Sequence, residues 1–271
     1  PLTHQMQHDL ETYYREKLGG SRFNGAMLVA RKGVIIFEKY HGYADLPNKL
    51  PVDKHTTFQL ASTSKTFTGM AILWLQQKGV LNINDPLQKY FPKFPYKGIT
   101  LKLLLSHRSG LPNYLYCCDK YWPDKSKYMT CMDVINILTK YHPRIQYKPN
   151  THFNYCNTNY CILAAVIEKI TGETLGNFLA ETFFRPLGMT DTWVYTPAKG
   201  TRDNQSISYD YRGRRERNNP FDGVVGDKNV YSTPEDMLKW DQALYNGKLF
   251  ADSTLQMAYT PYSNEKPGIR N

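Results

Sequence analysis

The segment from Phe58 to Gly79 constrains this chain more than any other. A short apolar step, Phe58 and Leu60, runs into the polar stretch Ala61-Ser62-Thr63-Ser64-Lys65-Thr66. A helical pattern follows through Phe67, Met70, Ala71, Leu73, Trp74 and Leu75 and fades near Gly79. Ser62 and Lys65 stand three residues apart, a spacing that puts both side chains on one helix face. A serine hydroxyl is a weak nucleophile until a neighbour takes its proton. A lysine can do so only when neutral, a form favoured by burial and by the positive end of a helix dipole. The Ser62 N–H would then be placed to stabilise an oxyanion. The same tetrapeptide also reads as an ordinary helix start capped by Ser62 or Ser64. Spacing alone leaves both readings open.

A second stretch narrows the choice. Tyr155-Cys156-Asn157 lies in the polar segment Asn154 to Asn159, just ahead of another helical pattern through Ile162, Leu163, Ala165, Val166 and Ile170. Three more stretches join it: Leu103-Leu104-Leu105-Ser106-His107-Arg108-Ser109-Gly110-Leu111-Pro112, Pro186-Leu187-Gly188-Met189, and Tyr231-Ser232-Thr233-Pro234-Glu235-Asp236-Met237. In order and wording, nearly the whole chain resembles the serine β-lactamase and penicillin-binding protein superfamily. The similarity is to the branch holding class C β-lactamases, D-Ala-D-Ala carboxypeptidases and related esterases.

The resemblance implies an α/β (α+β) fold of the β-lactamase/transpeptidase type, an antiparallel sheet flanked by helices plus a mostly helical part. Residues 1–80 and 190–271 would form the α/β part and 81–189 the helical part, with the active site in the cleft between them. It also implies roles. Ser62 would be the nucleophile, with Lys65 within reach of its hydroxyl. Tyr155 would be the second proton-transfer group, and Asn157 would hydrogen-bond Lys65 and the substrate amide. Either Lys65 or Tyr155 takes the first proton. Cys156 stands where the family carries serine or alanine, and without a histidine dyad it reads as packing rather than as a nucleophile. His107 reads as a core histidine supporting the helical part. Tyr114 and the region Tyr116 to Tyr121 are expected at the acyl-binding side or in a small core of their own loop.

One motif of the family has no counterpart here. A Lys-Thr-Gly or His-x-Gly strand should line the cleft and supply a second oxyanion N–H. Lys266-Pro267-Gly268 is a poor substitute, because proline cannot donate within a sheet. Without such strands the N-terminal hairpin keeps an open edge. The expectation is a fragment of a longer polypeptide, its remaining strands on a second chain, disordered or removed.

Composition bounds the rest. A chain of 271 residues with 41% hydrophobic content can bury a substantial core. The +10 charge is spread along the sequence, with one dense cluster at Arg212, Arg214, Arg215 and Arg217. No nucleic-acid recognition motif accompanies it, so the cluster reads as a solvated hairpin or loop. Weak attraction to an anionic cell wall or membrane surface is the electrostatic alternative. Five cysteines, Cys117, Cys118, Cys131, Cys156 and Cys161, show no C-x-x-C spacing; one bridge among the first three would need an oxidising compartment. The histidines lack metal-site pairing, and no metal or organic cofactor is implied.

In chain order the patterns predict a helix over 2–17 ended by Gly19-Gly20, strands over 25–31 and 34–40 joined at Lys32-Gly33, and the Ser62 helix. Short helices are predicted from Asp85 and Thr100, a long irregular excursion over 113–130, and helices over 132–141, 158–171 and 174–184. Strand-like sequence over 192–222 and helices over 234–245 and 253–259 complete the reading. The function read from this is a serine hydrolase forming an acyl-enzyme on D-Ala-D-Ala-type peptides, β-lactams or small esters. The rival is a non-catalytic protein that binds cell-wall peptide or assembles through the same fold. A periplasmic or extracellular location fits either.

Overall fold

The computed structural model describes residues 2–19 and 23–262. Helix α1 (Leu2–Tyr13) continues into a wider, π-type turn over Tyr14–Leu18. The predicted stop at Gly20 and the Lys266-Pro267-Gly268 segment lie outside the described residues. Strands β1 (Gly25–Arg31) and β2 (Val34–His41) form an antiparallel hairpin. Its turn residues, Lys32 (φ 51°) and Gly33 (φ 78°), both adopt left-handed backbone, the two-residue connection that matches strand twist. Among the described residues this pair forms a sheet of its own, with α1 packed on β2. Strands β3 (Tyr43–Asp45) and β4 (Leu50–Pro51) form a second small sheet.

Strand β5 (Phe58–Gln59) leads through a 3₁₀ turn, Ala61–Ser64, into α2 (Lys65–Gln77). Helices α3 (Leu101–Leu105), α4 (Tyr114–Cys117), α5 (Cys131–Tyr141), α6 (Asn157–Thr171) and α7 (Leu175–Leu179) follow, with no strand between residues 81 and 189 among those described. Strands β6 (Trp193–Val194) and β7 (Val230–Ser232) come next, then α8 (Pro234–Ala243), which packs on β1, and α9 (Asp252–Tyr259). The third sheet has the order β5-β7-β6, so β7 brings residues near 230 against the residues that precede Ser62.

Helix α6 is the hub. Ile162 through Ile167 are all buried, so the helix is apolar all round, as expected for one enclosed by others. Helices α2, α3 and α5 pack against it. On the far side of α2, Phe67 meets Trp240 at 4.4 Å and Phe184 at 5.4 Å between ring centroids, tying α2 to α8.

Three predicted elements differ. The helix expected over 174–184 is regular only through Leu179 and widens to a π-type turn at Ala180–Phe184. The excursion over 113–130 contains α4 and a 3₁₀ turn at Asp119–Tyr121. The strand-like stretch 192–222 holds one short strand, because local side-chain bonds compete with a ladder there. Asp210, for example, accepts the backbone N–H groups of Arg212 and Arg214. All five cysteines are free thiols, so no bridge joins Cys117, Cys118 and Cys131.

The loop before β7 presses on α6 through Gly226. Its φ is +93°, and a Cβ there would stand 2.4 Å from the Tyr160 carbonyl oxygen and 2.6 Å from the Ala164 Cβ. Gly226→Ala should destabilise the chain by about 3 kcal/mol, read as a lowered melting temperature, since backbone strain and overlap act together.

Candidate active site

Ser62 is exposed on the 3₁₀ turn, and the residue before it, Ala61, carries a left-handed φ of 46°. That conformation is uncommon for a residue with a Cβ and holds Ser62 at a sharp strand-to-helix corner. Neither serine caps the helix through its side chain. Ser64 instead is buried and its Oγ accepts the Val230 N–H at 3.1 Å, while the Leu60 N–H donates to the Val230 carbonyl at 2.8 Å. The corner is therefore pinned to β7 on both sides of Ser62.

Lys65 opens α2 with 6% of its surface exposed. Its ammonium donates to Ser62 Oγ at 3.1 Å and to the Asp227 carbonyl at 2.9 Å. It also faces the rings of Tyr155 at 4.9 Å and Tyr160 at 5.8 Å. Tyr155, half exposed, places its hydroxyl 2.8 Å from Ser62 Oγ. Three sequence-singled residues thus converge on one oxygen.

The fourth does not join them as expected. Asn157, the first residue of α6, leaves its Oδ1 buried with no hydrogen-bond partner. The expected bond to Lys65 is absent because the ammonium is drawn to Ser62 and to the Asp227 carbonyl instead. Asn157 does line the same cleft as Ser62, a space of about 630 Å³ whose walls include Gln59, Arg215, Asp227 and Tyr231. The Arg212–Arg217 cluster lies on an exposed turn bridged at Tyr209 and Arg215, and both Arg215 and Arg217 border this cleft.

The neighbouring residues take supporting positions. Cys156 is buried, its Sγ lies 3.4 Å from the Leu111 carbonyl, and burial pushes its thiol pKa up, so it is not a second nucleophile. His107, itself at φ 54°, stacks on the Tyr155 ring at 4.4 Å. Its Nδ1 accepts the Cys156 N–H at 3.2 Å and faces the Asn159 amide nitrogen at 3.0 Å, the arrangement of a neutral imidazole. Burial first, and the Lys65 charge second, lower its pKa to about 4. Tyr114, expected near the acyl side, is fully buried and donates to the Asp227 carboxylate, while Leu115 and Asp119 reach the cleft wall.

Sequence reasoning passed over Asp227. A signal was present: Asp227-Lys228-Asn229 is a polar triplet between the apolar residues Val224-Val225 and Val230. No group of three or more His, Cys, Asp or Glu suited to a metal occurs among the described residues. No helix among them is long and apolar enough to cross a membrane.

The model of the Beta-lactamase family matches residues 10–270. The chain belongs to the Beta-lactamase family. It is 33% identical to penicillin-binding protein 4* of Bacillus subtilis (strain 168), over 93% of this chain and 59% of that protein. Protein flp of Staphylococcus aureus is 32% identical over 78% of this chain and 43% of its own length. The chain therefore spans little more than half, or less, of these relatives. Among solved structures, FmtA from Staphylococcus aureus shares 27% identity with a TM-score of 0.75, covering 92% of this chain and 68% of that one. D-amino acid amidase from Ochrobactrum anthropi SV3 shares 26% with a TM-score of 0.69, covering 85% and 66%. These neighbours establish the β-lactamase/transpeptidase-like α/β fold.

As pH falls from 6.5 toward about 4, the unfolded chain takes up a proton that buried His107 refuses, so stability is lost across that window. Asp227, whose carboxyl is raised to about 6, contributes the opposite slope over much of this window, so the test is a difference. By denaturant unfolding, the stability of the native protein relative to His107→Gln should fall as pH drops from 6.5 toward about 4.

Proposed function

We propose that this chain is a serine hydrolase working through an acyl-enzyme at Ser62. The observation that carries the reading is the placement of Lys65 Nζ at 3.1 Å and Tyr155 Oη at 2.8 Å from Ser62 Oγ. A nucleophile needs a proton acceptor within hydrogen-bond reach, and Ser62 has two groups able to share that task. Ser62 Oγ attacks the substrate carbonyl carbon while its proton passes to the Lys65–Tyr155 pair, which accepts it in the form carrying one proton fewer than ammonium plus phenol. Charge develops on the carbonyl oxygen, where the Ser62 N–H supplies one stabilising donor. Tyr155 then protonates the leaving amine or alkoxide, the C–N or C–O bond breaks, and an ester to Ser62 remains. Water, deprotonated by the same pair, hydrolyses that ester. Because the two groups are coupled, the proton belongs to the pair rather than to one residue.

The substrates that fit are small acyl compounds: D-Ala-D-Ala-type peptides, β-lactams and small esters. The relatives support this class by name, a penicillin-binding protein and a D-amino acid amidase among them. The cleft is lined by amide, hydroxyl and charged side chains, which suits a peptide-like acyl group better than a long lipid chain. An extracytoplasmic location, where cell-wall peptides lie, accords with the same reading. The arrangement around Ser62 disfavours a purely non-catalytic binder, since such a role has no use for a serine flanked by two proton-transfer groups.

Turnover of a chromogenic ester should fall by about 10³-fold or more in Ser62→Ala, and by about 10²-fold or more in Tyr155→Phe. Unchanged turnover in Ser62→Ala would refute the assignment. Intact-mass spectra after incubation with a penicillin should show an adduct that Ser62→Ala lacks, or consumed penicillin if deacylation is fast.

A further inference from the structure

Asp227 lies in the cleft wall with 2% of its surface exposed. Its backbone carbonyl accepts from Lys65 Nζ at 2.9 Å, and its Oδ2 accepts from the Tyr114 hydroxyl at 2.9 Å. Its Oδ1 is buried and has no partner. A carboxylate is a costly group to enclose with one oxygen unsatisfied. The backbone carbonyl is available to Lys65 whatever the side chain, and an amide of the same shape would fill the same space at lower cost. The charge itself therefore needs an explanation.

Four titratable groups face this carboxyl: Lys65 from the start of α2, Tyr114 from α4, Cys161 from α6, and Lys228 from its own loop. Two are cations. Lys228 exerts the stronger pull on the carboxyl, but its ammonium is engaged elsewhere, donating to the Phe221 carbonyl at 2.6 Å and standing 3.8 Å from Asp222. Lys65 is the cation that links the Asp227 charge to Ser62.

We propose that Asp227 is a positioning residue of the Ser62 site, its carboxylate supplying the buried counter-charge that keeps the Lys65 ammonium directed between Ser62 Oγ and the Asp227 carbonyl. The inference rests on Ser62 being the nucleophile. Without that charge, the ammonium is held by two bonds and free to swing toward the Tyr155 and Tyr160 rings. Burial raises the Asp227 carboxyl to about 6, against the opposing pull of Lys228, Lys65 and Tyr114. The folded chain thus holds this proton more tightly than the unfolded one, and ionisation removes stability as pH rises from 3.8 through about 6. A carboxyl that weakens the fold at neutral pH is better explained by the site it borders than by stability.

The test combines labelling of Ser62 by a fluorophosphonate, followed by intact mass, with melting curves, both from about pH 5 to about pH 8. In the native protein the labelling rate should show an acid limb with a midpoint near 6. In Asp227→Asn the rate at about pH 8 should fall by about tenfold and the acid limb should vanish. The same variant should melt higher than the native protein at about pH 8, and the gap should close as pH falls. Tyr114→Phe removes a donor to Oδ2 and should move the limb to higher pH, which reads the inference even if Asp227→Asn does not fold. Native rates in Asp227→Asn, a loss of rate equal at all pH values, or an unmoved limb in Tyr114→Phe would overturn the inference. A native chain that takes no label at Ser62 would overturn the proposed function, and this inference with it.

Discussion

The site depends on one buried cation. Lys65 enters α2 from a corner tied to β7 on both sides, because Ser64 and Leu60 are bonded to Val230. Its ammonium is then clasped by the Asp227 carbonyl from the loop just before that strand. A buried ammonium without partners would be prohibitively costly, so every group around it is committed to holding it. Thr68 extends the same clasp by donating to the Gly226 carbonyl at 2.8 Å. The first turn of α2 and the loop over residues 224–230 are thus one unit, although more than 150 residues separate them in sequence.

That unit must rest on something rigid, and α6 provides it. The helix is buried along its middle and starts beside the site, so Tyr155 and Asn157 are delivered at its N-terminal edge rather than on a free loop. Gly226 permits the loop to touch α6 where any Cβ would collide with Tyr160 and Ala164. His107 seals the remaining side, its ring against Tyr155 and its Nδ1 on the Cys156 N–H. Preorganisation of this kind keeps Ser62 Oγ, Lys65 Nζ and Tyr155 Oη within hydrogen-bond range before any substrate arrives.

Local pattern served well where local physics governs. The hairpin over residues 25–41, α2, α5 and α6 were legible from alternation and apolar spacing, although the Thr130–Asp133 capping box that starts α5 was not read from the sequence. It failed where the backbone follows neither period. The stretch 192–222 carries β-compatible residues, yet its Asp and Asn side chains satisfy the backbone locally and leave one two-residue strand. The widened turn after Leu179 has no marker in the residues themselves, since its shape answers to packing of Phe183 and Phe184 against Trp240 and Phe67.

By itself the sequence singled out the residues proposed to carry chemistry and how the nearest of them relate. Ser62 and Lys65 are three apart, and a helical start allows them little choice but to meet. It also marked Tyr155 and Asn157, through their resemblance to a family motif and their place before an apolar helix. Only the tertiary structure decided that Tyr155 reaches Ser62 Oγ, that Lys65 prefers the Asp227 carbonyl to Asn157, and that the Cys156 thiol turns inward. Those outcomes are competitions between groups far apart in the chain for one buried charge and one oxygen. Spacing along a sequence does not encode such competitions; burial and distance do.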